Sequence, residues 1–169
     1  MSLQPPRPPD VFLMPGDFHF GAAPLRIATL LGSCVSIALW HPLRRIGGMC
    51  HYLLPSGTVR PDTRPGAYAD LAMNWLLKEL SRAGSHPVEY QASLVGGGNM
   101  FPGLRRAPGT EVGERNIAAG RALLAKHGFS LHLDDTGGAG HRHVELDLAT
   151  GRISVRFERQ GTAVRTPAP

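Results

Sequence analysis

Lysine is nearly absent from this 169-residue chain: Lys78 and Lys126 are the only two among its 18 basic residues. The formal net charge of +5 is therefore carried by arginine. No long basic run accompanies it, and aromatics make up only 7% of the chain. The basic stripe with interleaved stacking residues that marks nucleic-acid binders is thus missing, and no nucleic-acid partner is expected. Positive charge of this kind equally suits an acidic protein surface. Cysteine is scarce as well. Cys34 and Cys50 cannot make a disulfide framework or a Cys-rich zinc site, and free thiols are expected in a reducing compartment. No apolar stretch approaches the ~20 residues that a membrane-spanning helix needs. The opening MSLQPPRPPD lacks the apolar segment of a secretory signal. The expectation is a cytoplasmic protein without membrane insertion.

What is present fits a folded domain. The chain is 42% hydrophobic, and a domain of this size buries roughly 70% of its unfolded surface. One domain over residues 10–158 is expected, between disordered tails at 1–9 and 159–169. Strand patterns occupy Arg26 to Leu31, Val35 to Trp40 and Ile46 to Leu54, with HPLRR breaking the last two into a hairpin. Ala69, Met73, Leu76, Leu77 and Leu80 recur at helical spacing, and Gly84 ends the run. Val88 to Val95 reads as a strand leading into Gly96-Gly97-Gly98. Asn116 to His127 reads as a second helix with Ile117, Leu123 and Leu124 inward and Gly128 as its stop. Phe129 to Leu133 alternates, and Val144 to Leu148 with Ile153 to Phe157 reads as a hairpin. The order predicts an α/β fold with two main helices on a mixed, largely antiparallel sheet.

The chemistry concentrates in Thr29-Leu-Leu-Gly-Ser-Cys34-Val. A cysteine just after Gly32-Ser33, between two apolar runs, sits at a tight turn. There its thiol and the neighbouring backbone N–H groups reach one space, as an oxyanion hole requires. An unperturbed thiol has a pKa near about 8.5, so it needs a base. His51, in Gly47-Gly-Met-Cys-His51-Tyr52, supplies one from the adjoining strand. Cys50 is the weaker nucleophile, because alternation turns it away from any site that His51 faces. A buried structural cysteine is the plainer reading of either thiol.

These residues carry a resemblance. TLLGSCV and GGMCHYLLP are similar to the signature of the chemoreceptor glutamine deamidase family, CheD. The likeness extends to Met14-Pro-Gly-Asp17, to Gly97-Gly-Asn-Met-Phe101, to Val112-Gly-Glu-Arg-Asn116, and to Gly137-Gly138 before the last hairpin. It spans about Phe12 to Phe157. One departure is His141, interposed before Arg142 where the family has a glycine–arginine pair. The resemblance implies a layered α/β/β sandwich and a cysteine hydrolase that converts receptor glutamines to glutamates with release of ammonia. It implies Cys34 as nucleophile, His51 as general base and Thr29 as the residue holding the imidazole. Methyl-accepting chemotaxis receptors are the implied partners, with the CheC phosphatase as another. On this reading Gly32 and Ser33 shape the oxyanion and substrate-positioning turn.

Other readings remain beside it. A non-catalytic adaptor that binds receptors or the phosphatase has no need of a poised thiol. A different cysteine amidohydrolase, or an enzyme passing its thioester to an amine, would use the same pair. His141 and His143 share one strand face and, with His132, suggest a metal. No acidic or cysteine ligand joins them at a recognised spacing, so a solvated edge is expected and no metal or cofactor. Gly96-Gly97-Gly98 lacks the Lys-Ser/Thr of a phosphate loop and is expected to be a tight turn or a close approach of substrate backbone to the site. Arg105, Arg106 and Arg115 are ordinary surface charge or an attraction for glutamate-rich receptor helices.

Overall fold

A computed structural model describes residues 7–161; the outer parts of both expected tails lie outside them. The described residues form β1 (Val11–Leu13), β2 (Phe18–Ala22), β3 (Arg26–Leu31), β4 (Val35–His41), β5 (Ile46–Cys50), α1 (Ala69–Arg82), β6 (Gln91–Gly96), α2 (Val112–Lys126), β7 (Ser130–Thr136), β8 (Gly140–Asp147) and β9 (Arg152–Arg159). The strands divide between two sheets, ordered β1-β3-β8-β9 and β2-β5-β4-β6-β7. Most pairings are antiparallel; β1–β3 and β6–β7 are parallel. The α/β class with two main helices on largely antiparallel strands holds, and the sheets and helices stack as three layers.

Strand alternation builds the layers. On the five-stranded sheet, Val35, Ile37, Leu39, Cys50, Tyr52 and Leu94 face α1 and α2 in one apolar core. The alternate residues Ala38, Met49 and Val95 face the other way. They meet Leu13, Ile27, Leu31, Val144 and Leu146 of the four-stranded sheet in a second core. Each large aliphatic side chain fully buried in this way contributes about 1.5–3 kcal/mol. The two cores explain why β4 reads as almost continuously apolar: it is covered on both faces.

Both helices end where glycine allows the chain to turn left-handed. Gly84 (φ 64°) follows α1, where Gly84 N donates to Ser81 O and Ser85 N to Leu80 O. Gly128 (φ 76°) follows α2 with the equivalent pair, Gly128 N to Ala125 O and Phe129 N to Leu124 O. These crossed bonds satisfy the last helical carbonyls, and a side chain at either glycine would strain the turn.

Several boundaries differ from the sequence expectation. Strand β5 stops at Cys50, and past it a single bridge joins Val35 to Tyr52. Val88 lies in a 3-10 turn (Pro87–Glu89) and is exposed, so β6 begins only at Gln91. Helix α2 starts at Val112, and its buried face is Asn116, Ile117, Gly120 and Leu124; Leu123 is only half-buried. Strands β1 and β2 were not anticipated. Both are short, and β2 is only partly covered, so neither leaves a strong period-two signal.

Candidate active site

Cys34 and His51 reach the same space through the register of two strands. The antiparallel β4–β5 ladder pairs Ala38 with Met49 and resumes at Val35 with Tyr52 in the same register. Cys34 and His51 flank that last pair diagonally, on the face opposite Val35 and Tyr52. Diagonal neighbours of this kind have Cβ atoms roughly 7–8 Å apart or less. Both therefore point into the layer between the sheets, where Cys34 packs against the second core. The HPLRR break forms the β4–β5 turn, as expected, with Arg45 N donating to His41 O.

Thr29 enters from the other sheet. It is buried on β3, and its Oγ1 lies 2.8 Å from His51 Nδ1 and 2.8 Å from the Leu13 carbonyl. The hydroxyl has one proton, and a carbonyl can only accept, so that proton goes to Leu13 O. Oγ1 then accepts from Nδ1–H. The proton on Nδ1 leaves Nε2 as a bare lone pair, and Nε2 is buried without a hydrogen-bond partner among the described residues. A buried nitrogen held in this tautomer is a base waiting for a proton.

The Met14-Pro-Gly-Asp17 segment secures the histidine backbone. Gly16 N donates to His51 O at 2.8 Å, and His51 N donates to Asp17 O at 3.0 Å. The Asp17 carboxylate is itself held by Met14 N (2.9 Å) and Arg64 (2.8 Å). Burial lowers the His51 pKa to about 4, against a smaller opposing pull from Asp17. The imidazole is therefore neutral near pH 7. Burial also pushes the Cys34 thiol up, and no hydrogen bond links it to Nε2 in the free protein. The resting pair is thiol and imidazole rather than thiolate and imidazolium.

Asn116 of α2 ties the cysteine turn to the histidine strand. Fully buried, its Nδ2 donates to Ser33 O (3.1 Å) and to Leu53 O (2.8 Å). Its main-chain carbonyl accepts from Tyr52 Oη at 2.6 Å. In the sequence Asn116 stands out only as a motif residue and the expected start of the second helix; the signal for its role is a polar residue on the inward face of an amphipathic helix. The triple glycine braces the same turn from the other side. Gly97 N donates to Cys34 O and Gly98 N to Gly32 O, both at 2.8 Å. A methyl group at Gly98 would collide with the Gly140 carbonyl oxygen. The backbone that approaches Gly98 closely is the protein's own rather than the expected substrate's. The N–H groups of Gly32, Ser33 and Cys34 donate to no acceptor among the described residues.

The remaining candidates fall elsewhere. Cys50 faces the helices, with a thiol pushed up to about 12 by complete burial. Arg142 is buried, donates to Asp135 Oδ1 at 3.1 Å and lies 4.5 Å over the Phe157 ring. It joins the two sheets and is not free on the surface. His132 belongs to β7 of the other sheet, away from His141 and His143 on β8.

The chain matches the family described as "CheD chemotactic sensory transduction" over residues 53–157. That span begins just after the Thr29, Cys34 and His51 cluster. A Dechloromonas aromatica protein named "Probable chemoreceptor glutamine deamidase CheD 3" is 43% identical over 164 residues, 96% of each chain. A Pseudomonas savastanoi protein named "Probable chemoreceptor glutamine deamidase CheD" is 44% identical over 150 residues, covering 88% of this chain and 85% of that one. Among solved structures, the Bacillus licheniformis hypothetical protein YfiH is 16% identical with a TM-score of 0.47, covering 71% of this chain and 50% of that one.

Proposed function

The chain belongs to the CheD family, and from that premise we propose that it deamidates glutamine side chains of chemoreceptors through a thioester on Cys34. The observation that carries the reading is the hydrogen bond from His51 Nδ1–H to Thr29, which leaves Nε2 as the base on the face that Cys34 shares. The names of its relatives support glutamine as the substrate group.

In the first half-reaction, His51 Nε2 takes the Cys34 proton as sulfur attacks the carboxamide carbon. The carbonyl electrons move to oxygen, where free N–H groups of the Gly32-Ser33-Cys34 turn stabilise the anion. Collapse breaks the C–N bond while His51 returns its proton to the departing nitrogen, and ammonia leaves. In the second half, His51 deprotonates a water that attacks the thioester. The C–S bond then breaks, Cys34 regains its proton, and a glutamate side chain remains. Thr29 holds the imidazole tautomer throughout, the part that a carboxylate plays in serine triads. A neutral thiol and neutral imidazole suit this route, because the proton moves as the C–S bond forms.

The cysteine turn has neighbours suited to an acidic receptor surface. Met100 Sδ would lie 3.1 Å from a methyl group placed on Gly32. The residues that follow present exposed Phe101 and Leu104, then exposed Arg105 and Arg106. Salt-sensitive binding of receptor fragments is the expected consequence.

The deciding experiment follows ammonia release, and the one-dalton gain in mass, on receptor cytoplasmic fragments. Cys34→Ala is expected to abolish both while circular dichroism stays unchanged; full activity in that variant removes Cys34 as nucleophile. A second reading, an adaptor that binds receptors or the CheC phosphatase without turnover, draws support from the raised Cys34 pKa. It predicts receptor binding with no ammonia from the wild-type chain.

A further inference from the structure

We propose that the outer face of the β8–β9 hairpin is a binding site for a divalent transition-metal ion, held by His141, His143 and Glu158. The ligand atoms of these three residues all lie within 4.8 Å of one another. The acidic ligand that local sequence spacing does not supply comes from across the ladder: His141 pairs directly with Glu158, and His143 with the next outward position, Arg156. Glu158 Oε2 is 2.9 Å from His141 Nε2, and Glu158 Oε1 is 3.9 Å from His143 Nε2. Donors around a tetrahedral ion with bonds of about 2.0–2.1 Å are roughly 3.3 Å apart, so these two separations bracket the requirement.

Alternation makes the site independent of the cysteine centre. Val144, Leu146 and Arg142 point inward from β8, whereas His141 and His143 point outward and are partly exposed. His143 lines a hollow on that outer face together with Phe12, Ala28 and Arg156. Two imidazoles and a carboxylate with open positions toward solvent suit zinc, nickel or copper. They do not suit calcium or magnesium, which prefer shells of oxygen. Arg156 Nε stands 3.3 Å from Glu158 Oε1 and competes for that oxygen, but its side chain is mostly exposed and free to turn away. An ion here would clip β9, the edge of its sheet, to β8 at the end of the strand that carries Arg142.

The test is calorimetric titration of the whole chain with zinc chloride, in the wild-type and Cys34→Ala proteins, so that a thiol site is recognised as such. One ion per chain is expected in both, together with a rise in Tm on adding zinc. His141→Ala and His143→Ala are each expected to weaken binding by about 100-fold or more, since even outer-shell losses cost about 10–100-fold. Glu158→Gln is expected to weaken it as well. Metal-free circular dichroism and Tm establish that each variant folds, and a histidine variant that does not is replaced by His141→Gln or His143→Gln. Absence of binding at millimolar zinc overturns the proposal. So does binding that survives both histidine substitutions or disappears with Cys34→Ala.

Discussion

Thr29 Oγ1 and His51 Nδ1 lie 2.8 Å apart although Thr29 belongs to one sheet and His51 directly follows a strand of the other. The bond crosses the layer between the sheets and is buried. It makes the protonation pattern of the imidazole depend on how two sheets stack rather than on either strand alone. Because the Thr29 proton is committed to Leu13 O, the direction of the bond is determined.

Thr29→Val keeps the shape and removes the acceptor. The expected result is a loss of about 10²-fold or more in kcat for ammonia release, since a wrong tautomer in a triad costs up to about 10⁴. Leaving a buried N–H unpaired should also lower stability by about 1–3 kcal/mol. Thr29→Ser retains the hydroxyl and should keep most of the activity. Nitrogen chemical shifts of the His51 ring report the tautomer directly; an unchanged tautomer in Thr29→Val would contradict the assignment.

Acid should destabilise the fold through His51. Its native pKa of about 4 lies below the ordinary 6.5, so between those values the unfolded chain binds a proton that the folded chain refuses. Stability is thus fully present above about pH 6.5 and declines as pH falls toward 4, by on the order of 3 kcal/mol. Urea unfolding at a series of pH values measures this, and His51→Phe should remove that part of the slope.

The two thiols should separate under alkylation. Cys34 is partly exposed with a raised pKa, so iodoacetamide should label it slowly near neutrality and faster as pH rises. Cys50, buried and pushed up to about 12, should react only after unfolding. Rapid labelling of Cys34 at pH 6, read by mass spectrometry, would show that the resting thiol is already ionised.

Asn116→Ala cuts the tie between the Ser33 and Leu53 carbonyls. Stranding these acceptors should cost about 2 kcal/mol or more of stability. Activity should fall beyond what the stability loss explains, because the cysteine turn is no longer fixed to the strand that carries His51. Denaturation and kcat measured well below the Tm distinguish the two effects.

Much of this was legible in the residues. Strand Arg26–Leu31, the start but not the end of Ile46–Cys50, the body of α1, and the glycine stops at 84 and 128 follow from local spacing and turn chemistry. The hairpin that joins Cys34 to His51 follows from five breaker residues between two apolar runs. Val88 misled because an apolar residue in a short 3-10 turn resembles the start of a strand. Asn116 and Arg142 escaped because a polar side chain acquires a buried role only through partners on other elements.

The sequence by itself determined most of the strands and both helices, and it singled out Cys34 and His51 by local pattern and Thr29 by family resemblance, because periodicity and motif are properties of neighbours along the chain. Tertiary structure decided that the strands form two sheets, that a threonine on one fixes the imidazole on the other, and that Glu158 completes a pair of histidines on the outer face. Those relationships depend on which faces meet across a layer, and alternation along a single strand specifies two faces without saying what will cover either.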